Sequence, residues 1–482
     1  MDCVNSTTAI EQVDTTGSVV TNSQSTATTT TTTHNVPYRV GKWLPSDQAI
    51  LENWLKKHIE EVDSAAPPKV PSDEGDDEPD YDYPLHPAVQ SFKDEIESNA
   101  EITMFFHQMF SQIPTKYSKT PVGTPQVRNY HHMLQLINHV LTKAPEYHDH
   151  ESLVGFPINA ILDWPMGTIG GYAAFLNANV NAHFKNILNA WGEFLKTKDS
   201  CKVLTKEGWF SDDAMKQMSG GREKFEKEFK CDPSKEYYGF TCWDDFFTRE
   251  FQPNVRPVAA PDDSKVIVNA CESAPYKIEH NVTKCSKFWI KGQPYNLKFM
   301  LANHSLADEF KGGTVYQAFL NAFSYHRWHS PVDGKIIKAF VKDGTYYSEA
   351  LTKSFINFTK KEQPVENPDP DHSAPNDSQG YITEVATRAV IFIEAENPHI
   401  GLMCFMAVGM AEVSTCDITV NEGQRVKKGE QIGMFHFGGS THCLIFRPDI
   451  KLEFHLHGNL KPSIDAKNIP VNAKIATVLA DN

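Results

Sequence analysis

The apolar stretch Ile432-Gly433-Met434-Phe435-His436-Phe437 runs directly into Gly438-Gly439-Ser440-Thr441, near the end of the 482-residue chain. Two adjacent glycines allow backbone conformations that other residues rarely adopt. A serine after such a turn can hold its hydroxyl close to the preceding carbonyl carbon, which is the geometry for attack on the chain's own peptide bond. An ordinary turn is the alternative, because Gly-Gly before a hydroxyl residue is common in loops and recurs here at Gly312-Gly313-Thr314. By itself, this stretch leaves both interpretations open.

A second motif lies upstream, at Tyr325-His326-Arg327-Trp328-His329-Ser330-Pro331. Histidine is the natural proton carrier near neutral pH. If this segment is a strand, side chains alternate, so His326 and His329 face opposite sides and can do two different jobs. Core packing and a metal pair are the alternatives. For a metal, no Cys or carboxylate with ligand spacing stands nearby, and we expect none to bind.

The hydrophobic pattern changes near Phe246. From residue 85 to about residue 244, apolar residues recur at helical spacing. Beyond it, short β-branched runs such as Val266-Ile267-Val268 alternate with Gly, Pro and Asp turns, which is typical of strands. We therefore expect an α+β fold, with a helical N-terminal domain over residues 85–244 and a mostly β domain over residues 245–482. The turn-rich hairpin at residues 422–430 predicts a barrel-sandwich-like C-terminal part.

Three segments precede these domains. Residues 1–36 form a Ser/Thr-rich tail with too little apolar surface to fold alone, so we expect disorder. Residues 37–63 contain Leu51, Trp54 and Leu55 at helical spacing and predict a short helical arm. Residues 64–84 form an acidic, proline-rich linker. Solvation alone accounts for its charges, so we assign it no function.

Composition excludes several classes of function. The net charge of -15 is a poor match for nucleic acid or an anionic bilayer. No segment approaches the roughly 20 apolar residues of a membrane-crossing helix, and the N-terminus lacks the pattern of a secretory signal. The nine cysteines are scattered without a Cys-x-x-Cys pair, which indicates reduced thiols. We expect a cytoplasmic protein with neither a nucleic-acid partner nor an integral membrane segment.

Three motifs in order along the chain resemble those of the phosphatidylserine decarboxylase family of pyruvoyl enzymes. They are Phe246-Phe247-Thr248-Arg249-Glu250-Phe251 with Arg256-Pro257, then the segment 325–331, then Gly438-Gly439-Ser440-Thr441. The resemblance implies a covalent pyruvoyl cofactor made from Ser440, with neither pyridoxal phosphate nor a metal. The resemblance also indicates which of the two Gly-Gly sites is cleaved. Gly313-Thr314 precedes the histidine motif, and threonine cannot yield a pyruvoyl group.

The resemblance further implies how the chain matures and acts. His329, oriented by Glu272, takes the proton of Ser440, whose oxygen attacks the carbonyl carbon of Gly439. The products are fragments 1–439 and 440–482, which must remain packed together as each other's partners. His326 is then implied to act in the decarboxylation step, on a small-molecule amino-acid substrate. Higher oligomers are left open.

One departure from the family bears on the substrate. Lipid-cleaving members carry Ala-Asp-Gly where this chain has Cys271-Glu272-Ser273, so the carboxylate is kept but lengthened by one methylene. The runs 269–273, 409–416 and 433–440, and the helical segment 85–110, resemble soluble fungal members that act on free tryptophan. The implied function is decarboxylation of a free aromatic L-amino acid. L-tryptophan, which would give tryptamine and CO₂, is the leading candidate for the substrate. The alternatives are phosphatidylserine decarboxylation to phosphatidylethanolamine and an unprocessed binding protein of the same fold.

Aromatic residues near the motifs are weaker candidates for the site. Trp328, Phe435 and Phe437 could stack on an indole ring. Aromatic side chains are more often part of the core, so we do not assign them to the site from the sequence.

Overall fold

A computed structural model describes residues 43–45, 47–65, 84–112, 126–149, 152–284, 295–350, 378–412, 415–437, 440–463 and 465–479. The expected disordered tail, most of the acidic linker, and both Gly438 and Gly439 lie outside these ranges. The backbone of Ser440 lies inside them.

Helices fill the N-terminal half of the described chain, which confirms the prediction from periodicity. Helix α2 shows why: Val89, Phe92 and Ile96 fall on one face and are buried. Asn99 ends α2 and begins α3, because its side-chain oxygen accepts the free N–H groups of Glu101 and Ile102. The helices are α1 Gln48–Ala65, α2 Pro87–Ser98, α3 Ala100–Ser111, α4 Tyr130–Val140, α5 Pro157–Met166, α6 Ile169–Leu176, α7 Ala178–Leu195, α8 Asp212–Ser219, α9 Arg222–Glu228, α10 Trp243–Phe247, α11 Leu297–Met300 and α12 Gln379–Val385, with 3₁₀ segments Lys198–Val203, Glu236–Gly239 and Ser305–Phe310.

Strands dominate after α10, as expected for the α+β class. They are β1 Val266–Val268, β2 Ala274–His280, β3 Thr314–Leu320, β4 Arg327–His329, β5 Gly334–Lys342, β6 Arg388–Ala395, β7 Leu402–Gly409, β8 Cys416–Ile418, β9 Arg425–Val426, β10 Gln431–Phe435, β11 Ser440–Phe446, β12 Leu452–Phe454 and β13 Lys474–Val478. They form a seven-stranded sheet, β2-β3-β11-β7-β6-β5-β9, and two three-stranded sheets, β4-β10-β8 and β1-β13-β12. The pairings in these sheets are antiparallel.

Strand β11 lies inside the seven-stranded sheet, between β3 and β7. Position 440 is in register with Leu320 on one side and Gly409 on the other. Strands β3 and β7 are buried along their whole length, which explains their nearly continuous apolar sequences. The start of the expected short fragment is therefore a strand in the middle of the main sheet.

The histidine motif belongs to the neighbouring small sheet. There β4 pairs with β10, and the Trp328 ring packs on Phe405 of β7 with centroids 5.6 Å apart. A Cβ on Gly433 would lie 2.4 Å from the Trp328 ring, so only glycine permits this approach of β10 to β4. The packing brings the small sheet onto the face of the main sheet that carries Phe405.

Among the described helices, none combines the length and the apolar character that a membrane crossing requires.

Candidate active site

His326 is fully buried in an aromatic cage. Its ring stacks on Phe247 with centroids 4.1 Å apart and lies 5.9 Å from the ring of Trp43. Neither ring nitrogen makes a hydrogen bond of normal geometry with a described residue. Burial lowers the pKa of His326 well below its usual value, the guanidinium of Arg249 lowers it further, and the backbone of Asn321 acts in the opposite direction. The ring is therefore neutral, with its nitrogens available to a bound group.

Trp43 closes this cage from a distant part of the chain. Its indole N–H donates to the carbonyl of Leu320, 3.3 Å away, and its ring stacks on Phe156 with centroids 4.7 Å apart. The N–H of Gly155 donates to the Trp43 carbonyl, and a Cβ at position 155 would lie 2.7 Å from the indole. Leu320 is the residue paired with position 440, so Trp43 reaches the backbone beside the expected cleavage site.

His329 differs from His326 because both of its ring nitrogens are hydrogen-bonded. Nδ1–H donates to the carbonyl of Gly429 at 2.7 Å, which leaves Nε2 as the acceptor of the Tyr325 hydroxyl at 2.9 Å. Burial lowers the pKa of His329, so the imidazole is neutral. A neutral ring with a fixed Nδ1–H and a lone pair on Nε2 is equipped to act as a base.

Glu272 makes different contacts from those that we expected. Its Oε1 accepts a hydrogen bond from Nη2 of Arg256 at 2.9 Å, and its Oε2 accepts one from the backbone N–H of Val471 at 2.8 Å. Within the described residues, Tyr325 and Gly429 are the hydrogen-bond partners of the His329 ring, and Glu272 is not among them. The nearby guanidinium explains the difference, because it pairs with the carboxylate. The orienting role of Glu272 stays a prediction.

A cleft of about 270 Å³ lies beside the segment that leads to Ser440. Phe437 forms one wall and packs edge-on against Trp191 and Trp243, with centroid distances of 4.7 and 4.6 Å. Trp328 and Phe435 do not line it and pack against each other in the core instead. The cleft combines apolar walls with a few polar groups; the lining includes Leu188, Trp191, Leu195, Lys196, Asp244, Glu412, His436 and Phe437.

His436 faces this cleft as part of an ion pair. Its Nδ1 lies 3.0 Å from Oδ2 of Asp244, and its Nε2 lies 3.6 Å from Asp417. Burial opposes the positive charge, but the two carboxylates outweigh it and raise the pKa of His436 above its usual value. The cleft therefore contains a histidine whose positive charge two carboxylates stabilise.

Two family models match the chain, and both are described as phosphatidylserine decarboxylase. One matches residues 86–218 and the other residues 243–464. The chain is 44% identical over 329 residues to the decarboxylase iboD of Amanita muscaria (strain Koide BX008), which covers 67% of this chain and 91% of that one. It is 37% identical over 387 residues to the L-tryptophan decarboxylase of Psilocybe cubensis, covering 77% of this chain and 83% of that one.

This chain belongs to the phosphatidylserine decarboxylase family. It is thus a decarboxylase, a carboxy-lyase, as the three sequence motifs indicated. A more distant relative, phosphatidylserine decarboxylase proenzyme 3 of Schizosaccharomyces pombe, is 28% identical over 212 residues, covering 44% of this chain and 19% of its own. The family is pyruvoyl-dependent, and the word proenzyme in that name fits a precursor that is cleaved into two fragments.

The site of this decarboxylase fits a pyruvoyl group at position 440 on one structural ground. The unpartnered nitrogens of His326 are buried in a cage that Trp43 closes, and Trp43 is hydrogen-bonded to the residue paired with position 440. Trp43 thus links the surroundings of His326 to the strand pair that begins at position 440.

His442 is a residue of this decarboxylase that the sequence did not suggest. It shares a face of β11 with position 440 and is fully buried. Its Nε2 lies 3.0 Å from Oγ of Ser273, which stands where lipid-cleaving members have glycine. Burial lowers the pKa of His442 to about 3. The Ser273 departure was visible in the sequence, but its partner, 169 positions away, was not.

Trp43, Tyr325, His436 and Glu412 were also missing from the predicted site. Tyr325 belongs to the histidine motif and His436 to the apolar stretch before Gly438, so the sequence motifs already pointed to both positions. No motif pointed to Trp43, because a single tryptophan ahead of a short helix does not indicate contact with the histidine motif.

Proposed function

We propose that this decarboxylase converts a free aromatic L-amino acid to the amine and CO₂, using a pyruvoyl group made from Ser440. L-tryptophan is the leading candidate for the substrate. The observation that carries the proposal is the cleft beside Phe437, whose walls include Trp191 and Leu188. Aromatic and aliphatic walls suit a flat ring. A relative that covers most of the chain is named for tryptophan.

In the proposed maturation, His329 is the base. The oxygen of Ser440 attacks the carbonyl carbon of Gly439, the peptide C–N bond breaks, and an ester forms. Elimination of the ester leaves dehydroalanine, and hydrolysis then releases ammonia and leaves the pyruvoyl group. Tyr325 already donates a hydrogen bond to Nε2 of His329. His329 can therefore take the proton of Ser440 only if the Tyr325 hydroxyl relays its own proton to Nε2 or moves away.

In the decarboxylation, a pyruvoyl group at position 440 would provide an electron sink for the electron pair that departing CO₂ leaves on the substrate. The protein's part is to bind, orient and exclude water. The buried cage around His326 keeps water out, and the neutral ring can hold or return a proton at either nitrogen. The cleft beside Phe437 would orient the ring of the substrate against its apolar walls.

Two measurements test the proposal. The intact mass of the purified protein should reveal a fragment that begins at residue 440, with a blocked N-terminus that borohydride reduces. Ser440→Ala should remain uncut, and cleavage between residues 439 and 440 in that variant would refute the maturation scheme. The released CO₂ should come from carboxyl-labelled tryptophan; release from phosphatidylserine alone would overturn the substrate assignment.

The proposed location is the cytoplasm. The seven described cysteines, Cys201, Cys231, Cys242, Cys271, Cys404, Cys416 and Cys443, are free thiols. Unpaired thiols suit a reducing compartment. Fractionation of the producing cells tests this, and recovery in a secreted or organelle fraction would contradict it.

A further inference from the structure

Glu412 lies where the strand part of the molecule meets the helical part. It follows β7 in the turn after Gly409, and only 4% of its surface is exposed. Its Oε1 accepts hydrogen bonds from the backbone N–H groups of Ile158 and Asn159, at 2.6 and 2.9 Å. Phe156 makes no side-chain cap for α5, so Glu412 takes that place. These two bonds fix the orientation of its carboxyl group.

The second oxygen of this carboxyl group remains available. Oε2 of Glu412 is buried and makes no hydrogen bond of normal geometry with another described group. The residue lines the cleft of about 270 Å³ together with Trp191 and Phe437. An unpaired buried oxygen costs free energy, and native structures seldom leave one without a partner. A partner in the cleft would remove that cost.

The chemistry of the partner follows from the carboxyl group. Burial raises the pKa of Glu412 to about 8, against the lesser effects of the backbone N–H groups. A bound hydrogen-bond donor would favour the ionised form and draw this pKa back down. The cleft is lined by the apolar side chains of Leu188, Trp191, Leu195 and Phe437 as well as by polar residues such as Lys196, Asp244 and His436. A donor carried on an aromatic ring would suit both the carboxyl oxygen and these apolar walls.

We propose that Oε2 of Glu412 accepts a hydrogen bond from the ring N–H of the bound substrate and thereby selects indole over rings that have no N–H. This inference rests on the proposed function. It assigns Glu412 to substrate specificity, whereas His326 and His329 serve proton transfer.

The test compares L-tryptophan with 3-(3-benzothienyl)-L-alanine, in which sulfur replaces the ring N–H at nearly the same size. The wild-type protein should prefer tryptophan in kcat/KM by about tenfold or more. In Glu412→Gln, the amide oxygen can still accept from Ile158 and Asn159. Its NH₂ group would then face the ring N–H, donor against donor, and the preference should fall to about one.

Glu384→Gln is the matched control. Glu384 is also buried, its pKa is raised to about 7 chiefly by burial, and it accepts the backbone N–H of Asn296. It does not line the cleft. This variant should keep the wild-type preference, and an equal loss in both variants would overturn the inference.

The outcomes separate the two proposals. If the wild-type protein releases no CO₂ from tryptophan, the proposed function fails. If it does so but treats the sulfur analogue equally, or if Glu412→Gln keeps the preference, the role of Glu412 fails. Should Glu412→Gln not mature to the two fragments, the wild-type comparison of the two substrates decides alone.

Discussion

His326 and His329 are three residues apart and both are neutral and buried, yet their ring nitrogens have different partners. His329 is fixed at both nitrogens, by Gly429 and Tyr325. His326 is enclosed by rings and makes no hydrogen bond of normal geometry among the described residues. The first arrangement suits a base that acts once during maturation, and the second suits a group that waits for a ligand.

Tyr325→Phe tests the first arrangement. The change removes the donor to Nε2 but keeps the ring that stacks on Phe251, at 4.4 Å between centroids. If the Tyr325 hydroxyl relays the proton, we expect cleavage to slow by about a hundredfold or more, the usual size of a proton-transfer contribution. A time course of intact chain on a denaturing gel measures it.

Tyr295→Phe provides the comparison for that variant. Tyr295 is likewise buried, and its hydroxyl donates to Gln317 on the main sheet, away from His329. It should mature at the wild-type rate. Unchanged cleavage in Tyr325→Phe would show that the hydroxyl has no part in maturation.

At the scale of elements, periodicity predicted the change from helices to strands near Phe246, because it depends only on local spacing. It also indicated the arm helix, although α1 continues to Ala65, two residues past the expected end of the arm. Position 440 next to Leu320 could not be predicted, since that pairing joins residues 120 positions apart. The Arg256–Glu272 ion pair could not be predicted for the same reason, because the sequence shows which residues are charged but not which of them are in contact.

The segment 43–45 ahead of α1 is small but contributes Trp43 to the cage. Trp43→Ala should cost about 3–5 kcal/mol of unfolding free energy, if the cage does not refill. It should also uncover His326, so diethyl pyrocarbonate should modify that histidine severalfold faster, as measured by peptide mass spectrometry.

Trp54→Ala serves as the control for that experiment. Trp54 lies on α1 and stacks on His58, with centroids 3.9 Å apart. Its loss should leave the modification rate of His326 unchanged. Equal rates in the wild-type protein and Trp43→Ala would mean that Trp43 does not shield the histidine.

At the scale of the whole molecule, the residues after the expected cut belong to two sheets. Strand β11 pairs over its seven residues with both β3 and β7, while β12 and β13 form the small sheet with β1. A fragment that begins at residue 440 would therefore be held by a central strand and by a separate sheet.

We expect the two fragments to co-elute in size-exclusion chromatography without denaturant and to separate only in denaturant. After removal of denaturant, the uncut Ser440→Ala chain should refold in higher yield than the cut protein, because its strands are still tethered. Circular dichroism measures the recovery. Separate elution of the fragments under native conditions would contradict the prediction.

The position of residue 440 at the start of a central strand has a consequence for the lifetime of the enzyme. If the pyruvoyl group forms from Ser440 as proposed, it would be the first residue of this strand, would need no binding equilibrium and could not be removed by dilution. Because it would be attached covalently, it could not be exchanged either. Any side reaction that consumes the carbonyl would inactivate that protein molecule permanently, and activity could return only through new protein synthesis.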